Sequence, residues 1–373
     1  SALVITIYYN SLMIITDISI ENFRSYPKAD FSFNPSVTII TGANGSGKTN
    51  ILEAIYFLST GKSFRSSSIR QLIKWDQNYS SVCGKIQSDS LKNLEVQLLS
   101  EPTSSSISRR FLVNQIKKTR ASYLGSLKIV VFDPEDMRLV NGSPSRRRDF
   151  LDSVFITSDW RYAQALSQYH KTLEHRNRLL DQIANGLASK SELFFWDQSL
   201  IKNAEIINSN RSKFIRFANQ FFEQHPRQDI QSLRLQYHPS LVTQPLLDSN
   251  YRHELSSGYT LSGPHRDDFT IDNLSFSAAD KNLAFWGSRG QQRLAVLGIR
   301  LAHINYLEDI YQDTPVLLLD DILSELDFDH QSLVVEICQK YQTIFTTADH
   351  NIEPIFNQFD YTQIKLNYPT AQT

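Results

Sequence analysis

The segment Gly42-Ala43-Asn44-Gly45-Ser46-Gly47-Lys48-Thr49 constrains this chain more than any other. It follows a β-branched run, Val37-Thr38-Ile39-Ile40, and precedes a helical pattern with Ile51, Leu52, Ile55 and Leu58 on one face. That order predicts strand, loop, helix. Glycines at these places let the backbone wrap so that its N–H groups converge on phosphate oxygens, and the helix N-terminus adds a favourable field. A lysine after the last glycine reaches the β- and γ-phosphates, and the next hydroxyl ligates Mg²⁺. The expectation is an ATP site formed by Asn44, Gly45, Gly47, Lys48, Thr49 and Asn50, with Lys48 also acting catalytically and Thr49 on the metal.

A phosphate loop of this kind needs a second, acidic half. Val316-Leu317-Leu318-Leu319 is a continuous apolar strand that ends in Asp320-Asp321, which sets carboxylates at the strand end where α/β sheets bind ligands. Asp320 is expected to hold Mg²⁺ through water, and Asp321 to orient or deprotonate the attacking water. ABC-type enzymes usually carry Glu there; the shorter Asp implies slow turnover. Ser324-Glu325-Leu326-Asp327 resembles the D-loop of ABC/SMC ATPases, with Asp327 near the nucleotide. Upstream, Gly287-Ser288-Arg289-Gly290-Gln291-Gln292-Arg293 resembles the ABC signature. There, Ser288, Gly290 and Gln291 are expected to meet the γ-phosphate of a nucleotide held by a second copy. Ser288 lies 32 residues before Asp320, and the three motifs in this order point to an ABC-type head domain.

Spacing narrows the class. Thr49 and Ser288 are 239 residues apart. A transporter ATPase needs far less, and an SMC protein would fill the gap with hundreds of residues of heptads; no sustained heptad occurs. Residues 80–132 read as antiparallel strands, 146–225 as long polar helices, and 230–278 as short strands. A helix is expected over Gln291–Leu307, and Thr343-Ile344-Phe345-Thr346 as a second central strand.

From Met13 onward the chain resembles the RecF family. The resemblance rests on several runs. Asn22-Phe23-Arg24-Ser25-Tyr26 is similar to the family's opening strand and implies a nucleotide contact for Arg24. Gly61-Lys62-Ser63-Phe64-Arg65, Val131 to Asp136, and Gly142 to Arg148 with Phe150-Leu151-Asp152 match further family segments. So do Arg176-Asn177, Trp196-Asp197, and Ser262-Gly263-Pro264-His265-Arg266-Asp267-Asp268. The implied fold is α/β: an ABC/SMC-type ATPase head, made of a P-loop sheet plus an antiparallel β subdomain, with an inserted helical arm. Lobe I would comprise residues 13–143 and 260–373, and lobe II residues 144–259. The resemblance implies ATP-dependent homodimers on double-stranded DNA near gaps, and RecR and RecO as partners. Arg289 departs from the family's usual Gln. His350 stands in the switch region, where RecF-like proteins often lack the histidine, and Glu135 or Asp136 stands in for an absent Q-loop glutamine.

The formal net charge is −1, which argues against indiscriminate polyanion binding and leaves room for a local basic face. The basic clusters are Arg109-Arg110, Lys117-Lys118 with Arg120, and Arg146-Arg147-Arg148. Arg109, Arg110, Lys117, Lys118, Arg120 and Arg146 are the candidate DNA contacts, while Arg147 has an alternative structural role. Cys83 and Cys338 lack metal-ligand spacing and suit a reducing cytoplasm. The apolar stretch near the start is too short to span a bilayer, so no membrane partner is expected. Met13-Ile14-Ile15-Thr16 reads as a natural start, which would make residues 1–12 an N-terminal extension or a leftover of cloning.

Overall fold

The computed structural model describes residues 13–66, 68–88, 90–101, 106–277, 280–312, 314–322, 328–348, 356 and 359–366. The chain divides into two compact units, residues 1–134 with 303–373, and residues 135–302.

The first unit holds two sheets. One is antiparallel, with strands in the order Tyr26–Ser32, Ile14–Phe23, Tyr79–Gln87, Leu91–Ser100, Ile107–Val113 and Ile116–Lys118. The other is parallel, in the order Tyr361–Leu366, Val37–Gly42, Thr343–Thr347, Val316–Asp320 and Ile129–Phe132. The three inner strands are buried along their whole length, as expected of continuous apolar runs in a sheet covered on both faces. Between the sheets runs the helix Lys48–Thr60. Its Ile51, Leu52, Ile55, Phe57 and Leu58 join Ile18, Ile20, Val82 and Val96 of one sheet and Ile40, Leu318 and Ile344 of the other in a single core. The phosphate loop is therefore anchored at its strand and at its helix by the same apolar cluster. Gln342 adds a polar tie: its amide accepts from the Ile15 N–H at 2.8 Å and donates to the Ile15 carbonyl at 2.8 Å.

The second unit is mainly helical, with Trp160–Ala184 and Leu193–Gln224 as its long members and a two-stranded ladder of Leu233–His238 with Asp268–Asn273. The helix Arg289–Tyr311 begins in this unit and ends in the first. The lobe boundaries expected at 143/144 and 259/260 both fall inside the second unit, where ion pairs tie the flanking segments together. Asp136 pairs with Arg300, and Arg147 reaches Asp268 at 2.6 and 3.0 Å. One local expectation is corrected: the stretch 230–278 is not all short strands. Gln244–Ser257 is a helix, started by Thr243, whose side chain accepts from Leu246 N–H, and stopped by Gly258 in the left-handed conformation. Thr and Gly at those two ends are helix punctuation.

Most of the family-like runs outside the nucleotide motifs turn out to be scaffold. Arg211, almost fully buried, donates to Asp267 Oδ2 and Asp152 Oδ1 at 2.7 Å each and to the Pro264 carbonyl at 2.8 Å. Arg176 donates to Asp197 and Glu254 at 2.7 Å each and to Thr260 at 2.8 Å. Asn177 receives both the Thr260 N–H and its hydroxyl. His265 lies between the Tyr169 hydroxyl at 2.7 Å and the Thr260 carbonyl at 3.2 Å, and burial lowers its pKa to about 4. The neutral ring thus donates from Nε2 to the carbonyl and accepts from the tyrosine at Nδ1. A buried ion pair adds little net stability, but removing one partner strands the other at a cost of about 3–5 kcal/mol.

Candidate nucleotide site and DNA-facing residues

The strand Val37–Gly42 delivers the loop, and two of its glycines are required by conformation. Gly45 and Gly47 have φ of 82° and 98°, a region that L side chains rarely adopt. At Gly47 a Cβ would also lie 2.7 Å from the Tyr26 hydroxyl, which donates to the Gly47 carbonyl at 3.3 Å. The Tyr26 ring closes one side of the loop, and burial raises its pKa to about 12. Lys48 does not extend from the loop as an exposed side chain, which corrects the simple picture of a loop lysine. It is only 8% exposed, and its Nζ donates to the Gly42 carbonyl at 2.7 Å and the Ala43 carbonyl at 3.1 Å. The ammonium is thereby held over the loop's own backbone. Ser46 Oγ is buried with no hydrogen-bond partner. A buried orphan hydroxyl is costly.

The acidic half lies where the strand order demanded. Thr49 Oγ1 donates to Asp320 Oδ1 at 2.9 Å, and Thr346 Oγ1 donates to the same oxygen at 2.6 Å. Asp320 is the last residue of a fully buried strand lying next to Thr343–Thr347. A hydroxyl touching a carboxylate at the mouth of a phosphate loop is the donor set Mg²⁺ takes. Asp321 follows with φ 51°, a conformation Asp tolerates better than most residues. Its N–H donates to the Thr346 carbonyl at 3.0 Å and hydroxyl at 3.2 Å. The turn changes the direction of the chain immediately after Asp320. Thr346 is a site residue that sequence reasoning missed, because a threonine inside a strand gives no signal of its own.

A polar belt beside the loop was also only partly legible. Arg24 donates through Nε to Glu53 Oε2 at 2.8 Å and through Nη2 to Oε1 at 2.5 Å. Glu53, fully buried in the P-loop helix, also receives the Ser63 hydroxyl. Asn50 donates to Ser25 Oγ at 2.9 Å and accepts from Arg65 at 3.5 Å. Arg24 and Asn50, expected as nucleotide contacts, are thus both fixed beside the loop by neighbours. The run Gly61 to Arg65 returns along the same helix to supply two of those neighbours.

The model of the RecF/RecN/SMC N terminal domain family matches residues 14–359. A DNA replication and repair protein RecF from Bacillus mycoides is 36% identical over 355 residues, covering 90% of this chain and 92% of that protein. The chain belongs to the RecF family. A solved structure described as the recombination mediator protein RecF with ATP, in the RecFOR pathway, superposes with a TM-score of 0.80 at 29% identity, covering 92% of this chain and 94% of that one. An Smc head domain from Pyrococcus furiosus matches at a TM-score of 0.50 and 18% identity, a likeness of fold alone. The RecF-family assignment bears out the expected ATPase-head fold.

The remaining motifs of this RecF-family chain are placed as follows. Ser288 starts the helix Arg289–Tyr311 in a reciprocal cap: its hydroxyl accepts from Gln291 N–H at 3.3 Å, and the Gln291 side chain accepts from Ser288 N–H at 2.9 Å. Ser288 is exposed, and a Cβ at Gly290 would meet nothing within 4 Å. Asp136, a stand-in for the Q-loop, is committed to Arg300, and Glu135 to Arg138 and Arg146. Asp327 and His350 lie outside the described residues.

The basic clusters divide sharply. Arg146 reaches Glu135 at 3.2 Å, Arg147 pairs with Asp268, and Arg148 donates to the Asp267 carbonyl at 3.0 Å. That run is largely spent on its own unit. Arg109, Arg110, Lys117, Lys118 and Arg120 instead gather at one edge of the antiparallel sheet. Phe111 is paired with Lys118 and Leu112 with Lys117.

For Asp321, the expected result of Asp321→Asn is turnover slowed about a hundredfold, within the usual range for a general base, with ATP affinity kept because Asp320 and Thr49 are untouched. A phosphate-release assay beside an ATP titration checks it; wild-type turnover would place the base elsewhere.

Proposed function

We propose that this chain is an ATP-dependent DNA-binding recombination mediator of RecF type, a switch that closes as a homodimer on duplex DNA at gaps and supports recombinase loading. The observation that carries the proposal is the Thr49–Asp320 contact at the mouth of the phosphate loop in a chain of this family. Gly45, Gly47, Lys48 and the buried Ser46 hydroxyl would hold the β- and γ-phosphates, and Asn44 lies on the loop's exposed rim. Thr49 and Asp320 would hold Mg²⁺, which would neutralise phosphate charge when bound. Asp321 would accept the proton of the attacking water, giving weak, DNA-stimulated ATPase activity. Ser288, Gly290 and Gln291 would complete the site of a second copy.

The RecF relatives support DNA as the partner, with RecR and RecO as the companions in loading. A cytoplasmic location fits these partners, and no described helix is long and apolar enough to cross a membrane. Sequence-independent grip through phosphates suits gap repair, which is not tied to one sequence. The test is a titration of gapped, duplex and single-stranded DNA with and without ATP, across salt. Binding is expected to be ATP-stimulated, to favour duplex, and to fall linearly in log affinity against log salt, with a slope of about −0.9 per phosphate contact. Affinity insensitive to salt, or equal with and without ATP, would reject the reading.

A further inference from the structure

The basic residues at the sheet edge do not form one surface. The ladder pairs Phe111 with Lys118 and Val113 with Ile116 and ends at Lys118, and Arg120 opens the short helix Arg120–Tyr123 that follows. Side chains alternate between faces along a strand. Arg109 therefore shares a face with Phe111, which is buried against the P-loop helix and its following Gly61, while Arg110 and Lys117 share the other face.

Arg109 has a structural reason to be there. Its Nη1 donates at 3.0 Å to the Gly61 carbonyl, just past the C-terminus of the helix Lys48–Thr60, where a cation is favoured. Arg120 has none of that. Its Nε and Nη2 are buried with no hydrogen-bond partner. It is held there by its own short turn: Tyr123 packs on Phe111 with ring centroids 4.9 Å apart and donates to the Leu58 carbonyl at 2.6 Å. Burial lowers the pKa of both guanidinium groups, and the charge of Arg109 lowers that of Arg120 further. Two unsatisfied charged donors beside a second cation are a standing cost, and one an oxyanion would remove. A guanidinium fork matches two oxygens of a phosphate group.

We infer that Arg120, with Arg109 nearby, forms a seat for a phosphate group at the far end of the P-loop helix, distinct from the nucleotide site at its start. The source we assign is a DNA backbone phosphate, and that assignment rests on the proposed DNA-binding function; the seat itself does not. Arg110, Lys117 and Lys118 then act through the local field and not as fixed contacts.

The test uses the full chain with its P-loop saturated by ADP, so that added inorganic phosphate reports on other sites. Arg120→Met keeps the apolar stem and removes the stranded charge. Its unfolding midpoint without phosphate is expected to rise by about 2 °C or more, and the phosphate-induced rise seen in the wild type is expected to vanish. Binding of a short DNA duplex is expected to weaken about tenfold, with a log–log salt slope shallower by about 1. Arg120→Lys, which keeps the charge without the fork, is expected to lose affinity and keep the slope. A lower midpoint for Arg120→Met, or equal stabilisation of both proteins by phosphate, overturns the seat. If the phosphate arm behaves as expected but duplex binds wild type and variant alike, the DNA assignment falls and the seat belongs to a small phosphate compound. If wild type binds no duplex at all, it is the proposed function that fails.

Discussion

Lys48→Ala is expected to lose ATP-dependent stabilisation and turnover together, and to cost the fold a little as well. Both effects follow from where the ammonium sits. It donates to the Gly42 and Ala43 carbonyls from a side chain that is 8% exposed, so alanine leaves two loop carbonyls short of a charged donor, at about 1–3 kcal/mol. The larger loss is toward the nucleotide. Truncating one member of a buried, hydrogen-bonded charge pair costs about 2–5 kcal/mol, and charge builds on the leaving oxygen between the β- and γ-phosphates as transfer proceeds, so kcat/KM is expected to fall about a thousandfold. Ligand-dependent melting separates the two effects. At a hundred times its Kd, ATP stabilises the wild type by about 2.7 kcal/mol, a rise of about 5–10 °C for a unit of this size. The variant without nucleotide is expected to melt a few degrees lower than wild type and to show no rise with ATP. A normal ATP shift in Lys48→Ala would remove the phosphate-loop assignment, whereas a variant that fails to fold would show itself by losing its cooperative transition.

That buried lysine also marks the limit of what the sequence reveals. Glycine spacing gave the loop, because Gly45 and Gly47 take backbone angles that are costly for other residues. The apolar run ending in Asp320 gave the strand, and its neighbour Thr343–Thr347 was legible for the same reason. What local pattern does not carry is which polar side chains fold back on the chain. Thr346 meets Asp320 only because two parallel strands are in register, Asp320 beside Thr346. Glu53 is an acidic residue on the P-loop helix that reads as solvated until Arg24 and Ser63 are seen on it.

The helical unit shows the same division. The periodicity over 146–225 predicted long helices, and Trp160–Ala184 and Leu193–Gln224 are there. The helix Gln244–Ser257 gives little helical periodicity because it buries only Leu247 and the charged Glu254. Its end signals, Thr243 and Gly258, carried the information that periodicity lacked. The arginine run 146–148 looked like a basic patch because sequence lists charges without their partners. Asp268 and the Asp267 carbonyl are about 120 residues away. Conversely, Arg109 and Arg120 are 11 apart in sequence, yet what holds the turn of Arg120 against the strand of Arg109 is the packing of Tyr123 on Phe111.

Ser288→Arg is expected to leave ATP binding intact and abolish ATP-induced dimers. On the proposed reading, the signature loop contributes nothing to its own chain's nucleotide and everything to the partner copy's. Ser288 is exposed at a helix start, and Gly290 beside it leaves open space where a γ-phosphate oxygen would approach N–H groups and the hydroxyl. An arginine there fills the space with a flexible chain. It also removes the cap on Gln291 N–H, worth about 1 kcal/mol, so Ser288→Ala is the necessary control: it loses the cap and the hydroxyl without adding bulk. Ser288→Ala is expected to dimerise more weakly, and Ser288→Arg not at all, by light scattering with ATP. ATP would supply the differential binding energy that favours the closed dimer, and hydrolysis would withdraw it. Mixing Ser288→Arg with Lys48→Ala gives the sharpest outcome. In a two-fold dimer each site takes its loop from one chain and its signature from the other. The heterodimer therefore combines both defects in one site and both intact halves in the other. Phosphate release is expected to reappear in the mixture, although neither variant alone sustains it. Stable ATP-dependent dimers of Ser288→Arg by itself, or a mixture as inactive as its components while still binding ATP, would show that the signature serves its own chain.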